Sequence, residues 1–275
     1  MLKPSLLEIE YFETYYWANI ISNVLRDPFN YNYLGSLETF FGENTERFSE
    51  PFPQTTRLHD YIGYMIDIIH EQDLNDLDID SFKTGREFLW VEGAASFYGF
   101  EFDPFNEWLL EKGKQRKDID EDDISEYIEE FRLSGPYFDI LEKMSEEIFF
   151  IIFLNRELLQ NFNLIVAKYI NELAIDDMDT EYESYFKRQG VIARVLVPAW
   201  VQRAVFYRDR GTCNGCQKDI SGALRIGNTE NFDHIIPLEI GGINDVSNIQ
   251  LLCEGCNKSK KASILEISKK YEKWY

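Results

Sequence analysis

Four cysteines constrain this chain more than any other feature. They fall as Cys213-Asn-Gly-Cys216 and Cys253-Glu-Gly-Cys256, two C-x-x-C turns separated by 36 residues. Each turn presents two thiolates to one side, and two such turns complete a tetrahedral zinc. The 36-residue gap is longer than that of a short zinc ribbon, so the spacing alone names no module. The alternatives are four ordinary buried thiols or two disulfides. Disulfides fit poorly with a start, MLKPSLLEIEYFETYY, that lacks a basic stretch followed by an unbroken apolar run, as an export signal would have. A closed four-thiolate site leaves no position for water. Its expected role is therefore a structural staple between the end of a helix near 198–210 and the start of another at 254–261.

Charge divides the chain. The whole sequence carries −21, but residues 190–275 hold 12 Lys+Arg against 9 Asp+Glu, a net of +3, and residues 1–189 hold 16 against 40, a net of −24. A whole-chain value this negative would argue against nucleic-acid binding; the C-terminal part alone does not. The expected domains are an acidic, mainly helical region over 1–189 and a small zinc-stapled domain over 190–275, α+β in class. The conspicuous apolar run Ile148–Leu154 is far short of the roughly 20 residues a membrane span needs. A membrane-free, cytoplasmic protein is expected.

In the acidic region, Leu6, Ile9, Phe12, Tyr16 and Ile20 recur at helical spacing, as do Leu58, Ile62, Met65, Ile66 and Ile69 over about 57–72. One long helical pattern runs from about Pro136 to Leu173. The run Asp118–Asp123 suits a connector or a helix N-terminus, where carboxylates favour the dipole. FSEPFPQT (48–55) reads as a loop. Tyr15, Tyr16, Trp17, Phe88, Trp90, Phe97 and Phe100 are expected in the core, and His59 and His70, with no cysteine nearby, are read as structural. Further on, PAWVQRAVFYRDRG predicts a helix opened by Pro198 and ended by Gly211. The runs NFDHII and SNIQLL predict two short strands about the turn signal Gly241-Gly242, and EGCNKSKKAS a short basic helix.

Between the cysteine pairs stands Asp233-His234, with Asn248 14 residues after His234 and Asn257 23 after it. A lone histidine is more often a satisfied core residue than a catalyst. A flat strand would also send Asp233 and His234 to opposite faces, so both serve one site only if the strand ends there, as Pro237 suggests. Asp233-His234-Ile-Ile-Pro-Leu-Glu, then Gly-Gly-Ile-Asn-Asp-Val-Ser-Asn248-Ile-Gln-Leu-Leu-Cys, then Cys256-Asn257-Lys-Ser-Lys resembles the HNH endonuclease motif over about residues 196–263.

That resemblance implies a ββα-metal finger that hydrolyses phosphodiesters, more readily DNA than RNA. His234 would be the general base, and Asp233 and Asn257 the ligands of a catalytic Mg²⁺, with Mn²⁺ as a substitute. Asn248 would hold the interstrand loop and so orient His234. The third family position is often histidine; Asn257 stands there instead, which favours a hard cation over a softer one. Arg203, Arg208, Arg210, Lys258, Lys260 and Lys261 are the expected phosphate contacts, against the plainer reading of a solvated basic surface. A stand-alone domain of this kind on a regulatory appendage also resembles effectors of bacterial anti-phage defence.

Residues 1–189 admit three readings: a helical scaffold with a solvated acidic face, a domain docking a regulatory protein partner, or an intramolecular inhibitor whose carboxylates cover the basic face. The rival to a nuclease is a non-catalytic zinc-binding adaptor for nucleic acid or protein, or a nuclease subunit active only with a partner.

Overall fold

A computed structural model describes residues 7–31, 34–43, 45–133, 135–175, 178–223, 231–265 and 268–271. The helices are α1 Thr14–Arg26, α2 Leu34–Glu43, α3 Arg57–Asn75, α4 Ile79–Lys83, α5 Trp90–Tyr98, α6 Phe105–Glu111, α7 Glu121–Leu133, α8 Pro136–Phe153, α9 Arg156–Glu172, α10 Thr180–Glu183, α11 Ala199–Asp209 and α12 Glu254–Lys260. Two antiparallel pairs of strands join β1 Phe186–Arg188 to β2 Val191–Ile192 and β3 Phe232–His234 to β4 Ile249–Leu251. The class is α+β, mainly helical, as the sequence predicts. No single helix among the described residues is long and apolar enough to cross a membrane.

The chain forms two compact units. One comprises residues 1–18 and 62–148, the other 19–61 and 149–275. Division by compactness is thus not division by charge: residues 19–61 and 149–189 share a unit with 190–275.

In the first unit, Ile62, Met65, Ile66 and Ile69 of α3 are buried on one helical stripe, as expected. The first helix differs from its sequence reading, beginning at Thr14 rather than near Leu6. Glu147, fully buried, accepts hydrogen bonds from the Glu10 and Tyr11 backbone N–H groups and from Thr14 Oγ1. The Glu10 and Tyr11 backbone donors are thereby satisfied without helix, and the carboxylate favours the helix N-terminus. Asp120 and Asp123 cap α7 reciprocally, side chain to backbone N–H in both directions, so the acidic run is a helix start. His70 packs against the rings of Trp90 and Tyr137. The aromatic set is not a core set: Tyr15, Tyr16, Phe88 and Phe97 are exposed, whereas Trp17 is buried.

In the second unit, the long helical pattern is broken after Phe153. Asn155 adopts an extended conformation and its Oδ1 accepts from the Glu157 and Leu158 N–H groups, starting α9 afresh. Periodicity continues through the break, which is why the sequence reads as one helix. α11 follows the expected span closely. Val201, Val205 and Arg208 form its buried face, and Arg210 and Gly211 adopt left-handed conformations that end it. Val201, Val205, Phe232, Val246, Ile249 and Leu251 form one apolar cluster, with Phe52 from the Pro-flanked loop packed into it.

A candidate metal-stapled nuclease site

The β3–β4 register pairs Phe232 with Leu251, Asp233 with Gln250 and His234 with Ile249. The connecting loop runs through two single turns, Leu238–Ile240 and Val246–Asn248. From 231 to 252 every residue is buried except Glu239 and Ile240. Such a loop must satisfy its backbone internally. The Asn248 side chain supplies three of these bonds: Oδ1 accepts from Ile236 N at 2.8 Å, and Nδ2 donates to Ile236 O at 3.0 Å and Ile243 O at 2.9 Å. The Asn248 carbonyl also accepts from Ile235 N at 2.6 Å. Asn248 therefore fixes the chain immediately after His234.

The same loop is held from outside by residues far back in the sequence. Asn163 donates to Ser247 Oγ at 3.2 Å, Asn171 to Ile240 O at 3.0 Å, and Phe52 N to Asn244 O at 2.7 Å. Two glycines permit the close approach. A Cβ on Gly241 would lie 2.5 Å from Ala167 O, and one on Gly242 would lie 1.9 Å from Ile236 O.

His234 ends β3 with 1% of its surface exposed. Its Nε2 lies 3.1 Å from Asn244 Oδ1. Asn244 donates through Nδ2 to Ala193 O at 2.9 Å, so its Oδ1 is the acceptor and the histidine proton resides on Nε2. Nδ1 is then a bare lone pair, and it has no hydrogen-bond partner among the described residues. Burial, followed by the charge of Arg194, pushes His234 down to about 3, against the hydrogen bond to Asn244, which raises it. The ring is neutral at cellular pH.

Asp233 is buried beside it. The Lys260 ammonium, from the end of α12, stands 2.8 Å from Asp233 Oδ2 and donates to His234 O at 2.8 Å. The contact to Oδ2 lies off the line of a directed hydrogen bond, so it is an ion pair held by charge. Asn257, half-buried, is three residues before Lys260 and so on the same side of α12. Asp233 and Asn257 offer a carboxylate and an amide oxygen, a donor set suited to a hard cation such as Mg²⁺.

The four cysteine Sγ atoms all lie within 4.8 Å of one another, in a cluster able to hold a metal ion. Gly215 makes room in the first turn, where a Cβ would sit 3.0 Å from Cys256 Sγ. The Cys256 N–H, chiefly, draws the Cys253 thiol down to about 7, whereas burial and then the neighbouring thiols push Cys256 up. Crowded thiols that resist a second ionisation are what a divalent cation relieves, and four sulfurs at this spacing suit Zn²⁺.

The expected basic contacts divide in two. Arg203, Arg210, Lys258 and Lys261 are exposed. Arg208 and Lys260 are not, which corrects their reading as surface contacts. The Arg208 side chain is fully buried, bonded to both carboxylate oxygens of Asp209 and to Ile249 O. Asp209 also accepts from Leu251 N and Asn214 Nδ2, so the pair stitches α11 to β4. Asn244 was not singled out by sequence reasoning, and nothing local marks it. Lys260 carried a signal: it lies four residues after Cys256, hence on the face of α12 that the cysteine commits inward.

Two antiparallel strands, a helix and a thiol cluster able to hold a metal ion define a ββα unit. Residues 213–263 match the family model of the HNH endonucleases, and that segment of the chain bears out the resemblance read from its motif. The match begins at the first cysteine and ends just beyond α12. No curated protein and no solved structure is matched by the chain.

Proposed function

We propose that residues 190–275 constitute a metal-dependent endonuclease domain that hydrolyses phosphodiester bonds in DNA. The observation that carries this reading is the state of His234: proton pinned on Nε2 by Asn244, lone pair of Nδ1 unengaged, Asp233 beside it in sequence. An adaptor that only held zinc would have no use for a buried, unpartnered imidazole nitrogen next to a metal-binding carboxylate. His234 Nδ1 takes the proton from the attacking water, and Asn248 keeps the ring in register by fixing residues 236 and 243. Phosphates of a bound strand raise the basicity of His234 from its low resting value. Mg²⁺ held by Asp233 and Asn257 supplies, when bound, positive charge for the phosphorane and the leaving oxygen. Zn²⁺ at the four cysteines is structural, and Arg203, Arg210, Lys258 and Lys261 contact phosphate. Free thiols suit the reducing cytoplasm. Residues 1–189, at a net of −24, suit a regulatory or partner-docking role, and the whole an effector of bacterial anti-phage defence.

The test is conversion of supercoiled plasmid to nicked or linear forms by the full chain with Mg²⁺, beside His234→Ala. Loss of cleavage in the variant supports the assignment, and equal cleavage by both defeats it. The burial of His234 favours a neighbouring reading, a nuclease that acts only after a partner or the substrate opens the loop. In that case the full chain is silent alone and cleaves once the partner is supplied.

A further inference from the structure

Lys260 is a deeply buried cation, its side chain 1% exposed, and it is held on β3: Asp233 Oδ2 on one side, His234 O on the other. Burying an ammonium is costly unless charge and hydrogen bonds compensate it. Here the compensation comes from the carboxylate that the proposed function assigns to the catalytic cation, and the inference rests on that assignment. Two features make the placement deliberate rather than incidental. α12 is capped by Cys253, whose Sγ accepts from Cys256 N, so the thiol cluster sets where Lys260 arrives. The contact to Asp233 is an ion pair without a directed hydrogen bond, whereas the bond to His234 O is directed, so the ammonium can leave the carboxylate while remaining anchored to the strand.

We propose that Lys260 is the resident counter-ion of Asp233, and that a divalent cation binds Asp233 only in exchange for it. A singly and a doubly charged cation sharing one carboxylate in a low-dielectric site repel strongly. Cation binding must therefore shift Lys260 from Oδ2 towards its second acceptor, at a cost subtracted from metal affinity. The metal-free site keeps its fold because Asp233 is never left unpaired. It loads poorly until the phosphate of a bound strand adds negative charge that offsets the cost of displacing Lys260 from Asp233. Lys260 is thus a positioning residue that makes metal loading depend on substrate.

Mn²⁺ serves as the probe, with the zinc-loaded full chain in Mg²⁺-free buffer. Binding is followed by the EPR signal of free Mn²⁺ and stability by thermal melting, for wild type, Lys260→Met, Lys260→Arg, Asp233→Asn and the double variant Asp233→Asn/Lys260→Met. The expected result is Mn²⁺ binding at least ten-fold tighter in Lys260→Met than in wild type, unchanged within about three-fold in Lys260→Arg, and absent from both variants lacking Asp233. Without Mn²⁺, Lys260→Met should melt below wild type, recover on adding Mn²⁺, and recover without it in the double variant. Equal or weaker Mn²⁺ binding by a folded Lys260→Met, with wild-type binding still dependent on Asp233, overturns the exchange and leaves the nuclease reading intact. Mn²⁺ binding indifferent to Asp233→Asn overturns the metal-ligand assignment itself, and the exchange with it. If Lys260→Met does not fold, the melting of the double variant decides: stability near wild type supports the pairing, and a deficit as large as that of Lys260→Met overturns it.

Discussion

His234 Nε2 and Asn244 Oδ1 stand 3.1 Å apart, and the hydrogen bond that Asn244 Nδ2 donates to Ala193 O fixes which of the two is the donor. A residue in the loop thus decides the tautomer of a residue on the strand. Asn244→Ala should lower plasmid cleavage by roughly 10–100-fold, less than the roughly 10²–10⁴-fold expected of His234→Ala, because the base survives but its ring is no longer held. Truncating this buried amide should also cost about 1–3 kcal/mol of stability. Single-turnover cleavage and urea unfolding check the two parts.

The four cysteines should bind one zinc per chain. Removing it with a strong chelator should lower Tm sharply and abolish cleavage even with Mg²⁺ restored, since α12 carries both Asn257 and Lys260. Cys253→Ser should act in the same direction. Metal analysis by atomic absorption and a melting curve decide this, and full stability without zinc would count against the staple.

Gly242→Ala should be among the most damaging substitutions of an uncharged residue here. The new methyl would lie 1.9 Å from Ile236 O, in the loop that positions His234, and backbone cannot step aside as a flexible side chain can. A loss of about 3 kcal/mol or more is expected. Gly222→Ala, with nothing within 4 Å, is the control and should be close to neutral. Denaturant midpoints compare them.

Arg208 and the exposed arginines should fail in different ways. Arg208→Met leaves the buried Asp209 carboxylate without its cation, at a cost of about 3–5 kcal/mol, and should leave the salt dependence of DNA binding in the folded fraction unchanged. Arg203→Ala and Arg210→Ala should barely affect stability, but each should reduce the slope of log K against log salt by roughly 1. Binding titrations at several salt concentrations discriminate.

His70 gives a pH dependence of stability. Burial, aided by the charge of Arg132 and opposed by Asp67, lowers it to about 4 from an ordinary 6.5. Below pH 6.5 the unfolded chain takes up a proton that the folded chain refuses. The stability due to neutral His70 is therefore complete above pH 6.5 and declines as pH falls towards 4, with a limiting slope of about 1.4 kcal/mol per pH unit. Neither ring nitrogen has a hydrogen-bond partner among the described residues, so His70→Leu should retain stability at pH 7 and flatten the decline between pH 6.5 and 4.5. Thermal melts across that range check the sign.

How much of this was legible beforehand depended on how local its cause is. The helices at 57–75 and 199–209, the strand pair and the two cysteine turns follow from periodicity, a proline or glycine at an end, and thiol spacing, all of which act within a few residues. Asp233, His234, Asn248 and Asn257 were recognisable because their order along the chain is itself the motif. The break at Leu154-Asn155 was hidden because the apolar pattern runs through it, and only the cap formed by Asn155 marks it.

Partners distant in sequence decided the rest. Asn244 acquires its role from Ala193, the His234 loop is braced by Phe52, Asn163 and Asn171, and the surroundings of Asp233 depend on where α12 is docked. In Asn257-Lys-Ser-Lys-Lys the sequence alone determined a basic helix. Only the packed structure decided that Lys258 and Lys261 face water while Lys260 turns in to Asp233, because burial and charge pairing belong to the surface a helix is pressed against and not to the helix.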